Sequence, residues 1–294
     1  MSTSRGPLST AYLCLMTTIL VWGFNWPVVK MVLRELPPLF ARGLSGLGGA
    51  ILLALFALWR SESLHVPQGY RVRLAISSVI TVFAWMGFPT VALKWLTVAE
   101  GALVVYTMPI WATLFAWPIL GTRPTLRGVI ALLTAFSGVA VLLLGPGVDL
   151  GLSKIYGIAL NFTAAILFAL GAVTTKDAIP MQPIALTAWL VFLGSFPMVI
   201  LSFFLEDLDI ANTSTLAWGL VVYMAIAPMG IGYLTWFAAL RTLPASLAST
   251  AILMVPLIGI LSAGMFIGEP LGPREIIAVC LTLGGVTLAV WKRG

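Results

Sequence analysis

Charged residues are scarce in this chain of 294 residues, of which only 9% are Asp, Glu, Lys or Arg and 60% are apolar. An ordinary soluble domain carries roughly 25% charged residues, so this chain lacks the polar side chains that a water-facing surface needs. The low charge excludes a soluble globular enzyme, and the apolar content excludes a disordered segment. With a mean hydropathy of +1.07, the sequence predicts a protein whose solvent is a lipid bilayer.

Residues that ligate metals or form disulfides are equally few. The chain has one histidine, His65, and two cysteines, Cys14 and Cys280, which both fall within apolar runs. This composition excludes a disulfide framework, a CxxC metal site and an HExxH motif. A Walker A motif for ATP phosphates is also absent. We therefore expect no enzyme, no metal and no cofactor.

Basic residues exceed acidic ones, and the formal net charge is +6. The basic residues are scattered singly along the loops and form neither a continuous basic surface nor a basic terminal segment. We therefore expect no nucleic-acid binding. If the N-terminus is cytoplasmic, ten basic residues fall in inside segments and six in outside segments or adjacent helix ends. The outside six are Lys30, Arg34, Arg42, Lys94, Lys154 and Arg274. The positive-inside rule then predicts that both termini are cytoplasmic, in a bacterial inner membrane.

Long apolar runs make up most of the chain. A spanning helix needs about 20 mostly apolar residues. Charged residues, Pro and Gly divide the chain into ten such runs. The predicted spans are residues 9–33, 38–59, 73–95, 98–120, 126–144, 155–175, 182–205, 214–239, 244–268 and 273–291. We therefore predict an all-α, multi-pass membrane protein with ten transmembrane helices.

The chain matches itself when it is shifted by 147 residues, without a gap over about 50 residues. This predicts two five-helix repeats, residues 1–147 and 148–294. Because five is odd, the second repeat enters the membrane from the opposite side, an arrangement typical of transporters that bind substrate between the halves. The matched pairs are Leu96 with Leu243, Pro109 with Pro256, Leu114 with Leu261, Gly121 with Gly268, Arg127 with Arg274, Ala131 with Ala278, Gly138 with Gly285 and Val139 with Val286.

The second half of the first span carries a family resemblance. The run VWGFNW at residues 21–26, with Lys30 four residues on, resembles the WGxN…K start of the EamA family of the drug/metabolite transporter superfamily. Residues 109–121 and 256–268 resemble the closing helices of that family's two repeats. The resemblance covers essentially the whole chain and implies ten helices, an inverted repeat and transport of small metabolites, mostly export.

Within that family, length and aromatic content make the chain most similar to YddG-type exporters of aromatic and neutral amino acids. One position departs from the family pattern, which often has Glu after the helix-ending glycine of each repeat. Glu269 keeps this pattern in the second repeat, whereas Thr122 replaces it in the first. A symmetric role for that Glu is therefore not expected.

Polar and aromatic residues at membrane depth are the candidates for lining a substrate path, because polar groups there are costly unless they face protein or water. Asn25 lies mid-span, and Pro27 frees the carbonyl of Gly23, so an amide, a carbonyl and a nearby indole together suit a zwitterionic ligand. The candidate substrate-binding residues are Trp22, Asn25, Lys30, Trp85, Tyr106, Thr107, Asn161, Thr163, Trp189, Tyr233 and Trp236.

Each candidate also has a structural interpretation. Asn25 can bond a neighbouring helix at a kink, and Asn161 and Thr163 can serve interhelical packing. The aromatic candidates can be ordinary core residues. Lys30 and Lys176 can attract a carboxylate near a helix end, or extend to the membrane interface.

The predicted function is a permease that exports small zwitterionic metabolites, foremost neutral and aromatic amino acids, by alternating access without ATP. No carboxylate lies near the middle of a predicted span, which favours facilitated diffusion. Proton antiport through Glu100 or Glu269 stays open, and a passive pore or a membrane-embedded enzyme are the alternatives from other classes. The expected partners are an amino-acid substrate and the lipid bilayer. The sequence does not determine the oligomeric state, and a monomer is compatible with it.

Overall fold

The computed structural model describes residues 6–121, 123, 125–144, 151–174, 179–244, 247–248 and 251–290, and this part of the chain contains helices and no strand. The prediction of an all-α fold is confirmed. The helices are α1 (Gly6–Val32), α2 (Pro38–Trp59), α3 (Gln68–Ala92), α4 (Val98–Leu120), α5 (Leu126–Leu144), α6 (Leu152–Thr174), α7 (Pro183–Leu205), α8 (Thr215–Leu240), α9 (Met254–Ile267) and α10 (Pro273–Val290).

Eight of these helices, α1 to α8, are long and apolar enough to cross a membrane. Helix α9 is shorter, with 14 residues, and α10 has 18. Large apolar side chains such as Leu13, Phe204 and Met265 are exposed on the outside of the bundle, as expected where lipid is the solvent. The ten-span count and the cytoplasmic side of the termini stay predictions.

Two glycines end helices at matched positions of the chain. Gly121 follows α4 with φ of 72° and Gly268 follows α9 with φ of 71°. This left-handed conformation is the usual way to end a helix, and only glycine adopts it without strain. The two positions lie 147 residues apart, the offset of the predicted repeat.

Helices α2 and α7 pack along one another, and carboxylates at their ends show their relative direction. Glu206, just after α7, accepts hydrogen bonds from the backbone N–H groups of Leu39 (2.8 Å) and Phe40 (3.0 Å) at the start of α2. Glu62, just after α2, accepts one from the N–H of Ala185 (3.1 Å) at the start of α7. The end of each helix therefore lies beside the start of the other, so α2 and α7 are antiparallel.

Helices α5 and α10 form a second antiparallel pair through reciprocal contacts. A Cβ on Gly285 would lie 2.5 Å from the backbone nitrogen of Ala135, and a Cβ on Gly138 would collide with the hydroxyl of Thr282. In the predicted repeat, Gly138 corresponds to Gly285 and Ala135 corresponds to Thr282. The two contacts therefore join equivalent positions. Such reciprocity is what a two-fold relation produces.

The remaining helix pairs follow the same pattern. Helix α1 packs against α8 and α9, and α6 packs against α3 and α4. In the predicted repeat, α1 corresponds to α6, α3 to α8 and α4 to α9. Under this correspondence, the contacts of α1 with α8 and α9 are equivalent to the contacts of α6 with α3 and α4. The boundary between the predicted repeats, residues 147 and 148, lies outside the described residues, and the division into two repeats stays a prediction.

Candidate functional site

A cavity of about 670 Å³ lies among the helices, within the range of about 300–1,000 Å³ usual for small-molecule sites. Helices α1 to α4 and α6 to α9 contribute to its wall. The lining residues are Trp22, Asn25, Trp26, Val29, Arg42, Thr81, Val82, Trp85, Met86, Pro89, Thr90, Leu93, Val105, Tyr106, Met108, Pro109, Ala112, Phe168, Ala169, Ala172, Thr187, Leu190, Val191, Pro228, Met229, Tyr233, Trp236, Ile252, Leu253 and Val255.

Six of the eleven candidate residues line this cavity. Their aromatic rings form two groups: Trp22 contacts Tyr233 and Trp236 with ring centroids 5.4 and 5.9 Å apart, and Trp85 contacts Tyr106 at 6.2 Å. The ring of Trp22 meets that of Tyr233 edge to face, as does Trp85 that of Tyr106, and the rings of Trp22 and Trp236 are tilted; aromatic rings attract one another at these separations. The six are Trp22, Asn25, Trp85, Tyr106, Tyr233 and Trp236.

Two π-helical segments border the cavity, Val79–Gly87 in α3 and Ala225–Ile231 in α8. Such segments are frequent at functional sites, because the wider turn alters the direction of side chains and carbonyls. The indole N–H of Trp22 donates to the carbonyl of Pro228 at 2.8 Å. Since this donor is satisfied by the protein, the face of the Trp22 ring is what remains for a ligand.

Asn25 supplies an acceptor at the cavity. Its Oδ1 is buried and has no hydrogen-bond partner among the described residues, and the residue belongs to the cavity wall. A buried polar atom without a partner is rare, since most are bonded to protein or water. Asn25 therefore carries a hydrogen-bond acceptor that the described part of the protein does not use.

Two of the other candidates donate hydrogen bonds to backbone carbonyls near the start of α4. The Lys30 ammonium donates to the carbonyls of Leu93, at 2.6 Å, and Leu96. The Asn161 amide donates to the carbonyl of Gly101 at 3.1 Å. These bonds join α1 and α6 to the segment around the start of α4, and they favour a structural role over substrate contact.

Trp189 donates its indole N–H to the carbonyl of Leu64 at 2.9 Å, so this candidate ties α7 to the loop after α2. Its side chain lies outside the cavity wall among the described residues.

Two hydroxyl candidates also lie away from the cavity wall among the described residues. Thr107 is fully buried, donates to the carbonyl of Val104 and lies 3.2 Å from the indole nitrogen of Trp111. Thr163 is exposed and donates to the carbonyl of Ala159 within its own helix. Their role in substrate binding stays a prediction without geometric support. Lys176 and Thr122 lie outside the described residues.

Arg42 is the one charged residue in the described cavity wall, and the sequence reasoning missed it. It is 7% exposed, and its Nε and Nη1 atoms are buried without a hydrogen-bond partner. In the sequence it counted only as a basic residue near a helix end. The available signal was its position inside α2, four residues after Pro38, where an ionisable side chain at membrane depth is a functional candidate by default.

Carboxylates cluster at the start of α4, away from the described cavity wall. Glu100 and Thr97 form a capping box, and Lys154 pairs with Glu100 at 2.6 Å. Glu269, in the loop before α10, accepts the N–H of Val98 at 2.7 Å. Burial raises the pKa of Glu269 above its ordinary value, while this hydrogen bond and the charge of Lys30 oppose the change.

No three His, Cys, Asp or Glu residues lie together among the described residues. What the cavity offers is a set of aromatic faces, one unpaired amide oxygen and one unpaired guanidinium.

Comparison with curated proteins finds transporters over nearly the full chain. An uncharacterized transporter, YvbV of Bacillus subtilis (strain 168), is 28% identical and the match covers 97% of this chain and 93% of the relative. A probable amino-acid metabolite efflux pump of Salmonella typhimurium is 26% identical over 93% of this chain and 92% of its own. An uncharacterized transporter of Archaeoglobus fulgidus is 26% identical over 96% of this chain and 99% of its own.

A solved crystal structure shares the fold, with a TM-score of 0.69 and 21% identity over 96% of each chain. The model of the EamA-like transporter family matches residues 9–144 and again residues 155–291. The narrower likeness to YddG-type exporters stays a prediction. The two matches cover most of the helical chain, and the relatives are named as transporters. This protein therefore belongs to the EamA-like transporter family and is a multi-pass transporter of the cell membrane rather than an enzyme.

Proposed function

We propose that this transporter exports small zwitterionic metabolites, foremost neutral and aromatic amino acids. The observation that carries the proposal is the composition of the cavity wall, which combines several aromatic side chains with Asn25 and Arg42. Oδ1 of Asn25 and Nε and Nη1 of Arg42 have no partner among the described residues. An aromatic wall suits an apolar or aromatic side chain. An acceptor and a cation suit the ammonium and carboxylate of an amino acid.

The proposed mechanism is alternating access. The cavity wall draws on helices of both halves of the chain, and the antiparallel pairs α2–α7 and α5–α10 support an inverted repeat. Inverted repeats allow two similar arrangements that open a central site to opposite sides. Export is supported by the printed name of the Salmonella relative, an efflux pump for amino-acid metabolites.

The proposed energy source is the substrate gradient itself. The described cavity wall contains no carboxylate that would carry a proton together with the substrate, and proton-coupled transporters commonly place such a group in the path. Proton antiport is the second candidate function. It is favoured by Glu269, whose pKa is raised by burial where α9, α10 and the start of α4 meet.

Counterflow in proteoliposomes tests the proposal. Vesicles preloaded with unlabelled phenylalanine are expected to accumulate labelled phenylalanine transiently and saturably, which a passive pore does not do. Because Asn25 supplies a hydrogen bond to a charged group, Asn25→Ala is expected to raise the half-saturating concentration about tenfold or more. Asn212→Ala makes the same chemical change at an exposed position of the loop between α7 and α8, and this matched control is expected to behave as the wild type.

An imposed pH gradient separates the two energy sources. Facilitated diffusion predicts the same phenylalanine flux with and without the gradient. Flux that disappears without the gradient, and that Glu269→Gln makes insensitive to it, would replace the first mechanism by the second. Linear, non-saturable flux without counterflow for every amino acid tested would contradict the proposed function altogether.

A further inference from the structure

Arg42 holds a positive charge inside the protein without a negative partner in the described residues. Lys154 pairs with Glu100 and Arg274 pairs with Glu275, so neither of these ion pairs involves Arg42. Glu206, the carboxylate near the start of α2, already accepts hydrogen bonds from Leu39 and Phe40 with its two oxygens. A buried charge is expensive unless it is paired, so an internal partner does not account for this residue.

The packing of α2 directs Arg42 towards the cavity. Gly43, the residue after Arg42, lies so close to α7 that a Cβ there would collide with Val199, so this side of α2 is closed. Gly49, seven residues after Arg42 and thus on its face of the helix, lies against α8.

Helix α8 carries Tyr233, whose ring belongs to the cavity wall with Arg42. The guanidinium is therefore held by a tightly packed helix at the wall of the central cavity, beside one of its aromatic groups.

We propose that Arg42 binds the carboxylate of the transported molecule, while Oδ1 of Asn25 accepts a hydrogen bond from its ammonium group. This inference rests on the proposed function and names the two polar subsites of the same cavity. A planar guanidinium offers two parallel N–H donors to the two oxygens of a carboxylate, which a lysine ammonium cannot do. The aromatic group of Trp22, Tyr233 and Trp236 then receives the side chain of the substrate.

The assignment makes the carboxylate a requirement for recognition. A ligand without it would leave the guanidinium buried and unpaired, and a site built around a charged partner rejects analogues that lack that partner. Amino acids should therefore bind, whereas the corresponding amines should bind weakly. A carboxylic acid without the ammonium group should retain the Arg42 contact and lose only the contribution of Asn25.

Ligand binding to the purified full-length protein in lipid nanodiscs tests this, with phenylalanine, phenethylamine and 3-phenylpropionate as probes. The wild type is expected to bind phenethylamine about 10- to 100-fold more weakly than phenylalanine. Arg42→Gln should weaken phenylalanine by a similar factor and leave phenethylamine unchanged, so that the discrimination disappears. Arg42→Lys should recover part of the loss, because it restores the charge but not the two-donor geometry.

Asn25→Ala tests the proposed contact with the ammonium group in the same binding assay. It should weaken phenylalanine and phenethylamine by the same factor and leave 3-phenylpropionate unchanged. Arg60→Gln makes the same chemical change at the exposed end of α2 and should alter none of the three affinities. If the wild type binds phenethylamine as tightly as phenylalanine, the carboxylate subsite is wrong, and this result needs no variant to fold.

The outcomes separate this inference from the proposed function. Phenylalanine counterflow that Arg42→Gln leaves unchanged would overturn the subsite while the transport function stands. Absence of amino-acid counterflow, together with binding of 3-phenylpropionate that Arg42→Gln abolishes, would overturn amino-acid transport and leave Arg42 as a carboxylate site for another acid.

Discussion

Individual polar side chains in this bundle fall into two groups according to where their hydrogen bonds end. The donors of Lys30, Asn161 and Trp189 end on backbone carbonyls of neighbouring segments. Oδ1 of Asn25 and two nitrogens of Arg42 have no partner among the described residues and belong to cavity-lining side chains. Buried polar groups are normally satisfied, so Asn25 and Arg42, which combine an unpaired atom with a place in the cavity wall, are the residues that we propose to bind the substrate.

Glycine has a different function at the contact between α5 and α10, and one substitution tests it. A Cβ at position 285 would lie 2.6 Å from the carbonyl oxygen of Ala131, which is backbone and cannot move aside. We expect Gly285→Ala to destabilise the protein by about 1–3 kcal/mol through overpacking. Thermal unfolding of the purified protein, followed by tryptophan fluorescence, measures the effect.

The neighbouring glycine is the control for this substitution. Nothing lies within 4 Å of a Cβ at Gly284, so Gly284→Ala should be neutral or stabilise by up to about 1 kcal/mol through helix propensity. Equal melting temperatures for the two variants would contradict the close packing of α5 on α10.

At the scale of helices, carboxylates from one element satisfy the N-terminus of another. Glu206 binds the start of α2, Glu62 the start of α7 and Glu269 the start of α4. Glu35, in the loop after α1, accepts bonds from the backbone and hydroxyl of Ser214 before α8. The free N–H groups and dipole of a helix start attract negative charge, so the few acidic residues of this chain connect its helices.

Glu269 should make the stability of the folded protein depend on pH. Burial raises its pKa above the ordinary value, so its charged form is less favourable in the folded than in the unfolded state. The stability of the wild type should therefore fall as pH rises through the raised pKa, relative to Glu269→Gln, which does not ionise. The melting temperatures of the two proteins, compared from pH 4.5 to 8, measure the difference, which should increase towards neutral pH in favour of the variant.

Asp209→Asn, which removes an exposed carboxylate after α7, is the matched control for the loss of one carboxylate. A variant that is less stable than the wild type at neutral pH would mean that the Val98 hydrogen bond and the Lys30 charge outweigh burial, contrary to this prediction.

Across the whole molecule, the antiparallel pairs predict the membrane topology. The end of α2 lies beside the start of α7 and the end of α7 beside the start of α2. The loops that follow these two helices must therefore be on opposite sides of the membrane. With a cytoplasmic N-terminus, the loop after α2 is inside and the loop after α7 is outside.

Cysteine labelling tests this topology. Replacing Cys14 and Cys280 by serine gives a background without thiols, into which Ser63→Cys and Ala211→Cys are introduced at exposed loop positions. A membrane-impermeant maleimide should label Ala211→Cys in intact cells and Ser63→Cys only after permeabilisation. Labelling of both in intact cells would exclude the antiparallel arrangement.

Composition and pattern determined most of the architecture. Few charges and long apolar runs specify helices in a lipid bilayer, and the described helices α1 to α8 overlap the first eight predicted spans. The run WGFN with Lys30 led to the right family. Low charge, apolar runs and the WGFN motif are local or repeated features of the sequence. They can therefore be recognised without knowing which segments contact one another in the fold.

Only the tertiary structure decided which polar side chains face the cavity. In a membrane the lipid-facing and core-facing sides of a helix are both apolar, so apolar periodicity does not reveal which way Arg42, Lys30 or Asn161 points. Lys30 finds its acceptors 63 and 66 residues away, and Asn161 finds its own 60 residues away. Whether a polar group is satisfied by the protein or left for a ligand thus depends on contacts between distant segments, which helix packing creates.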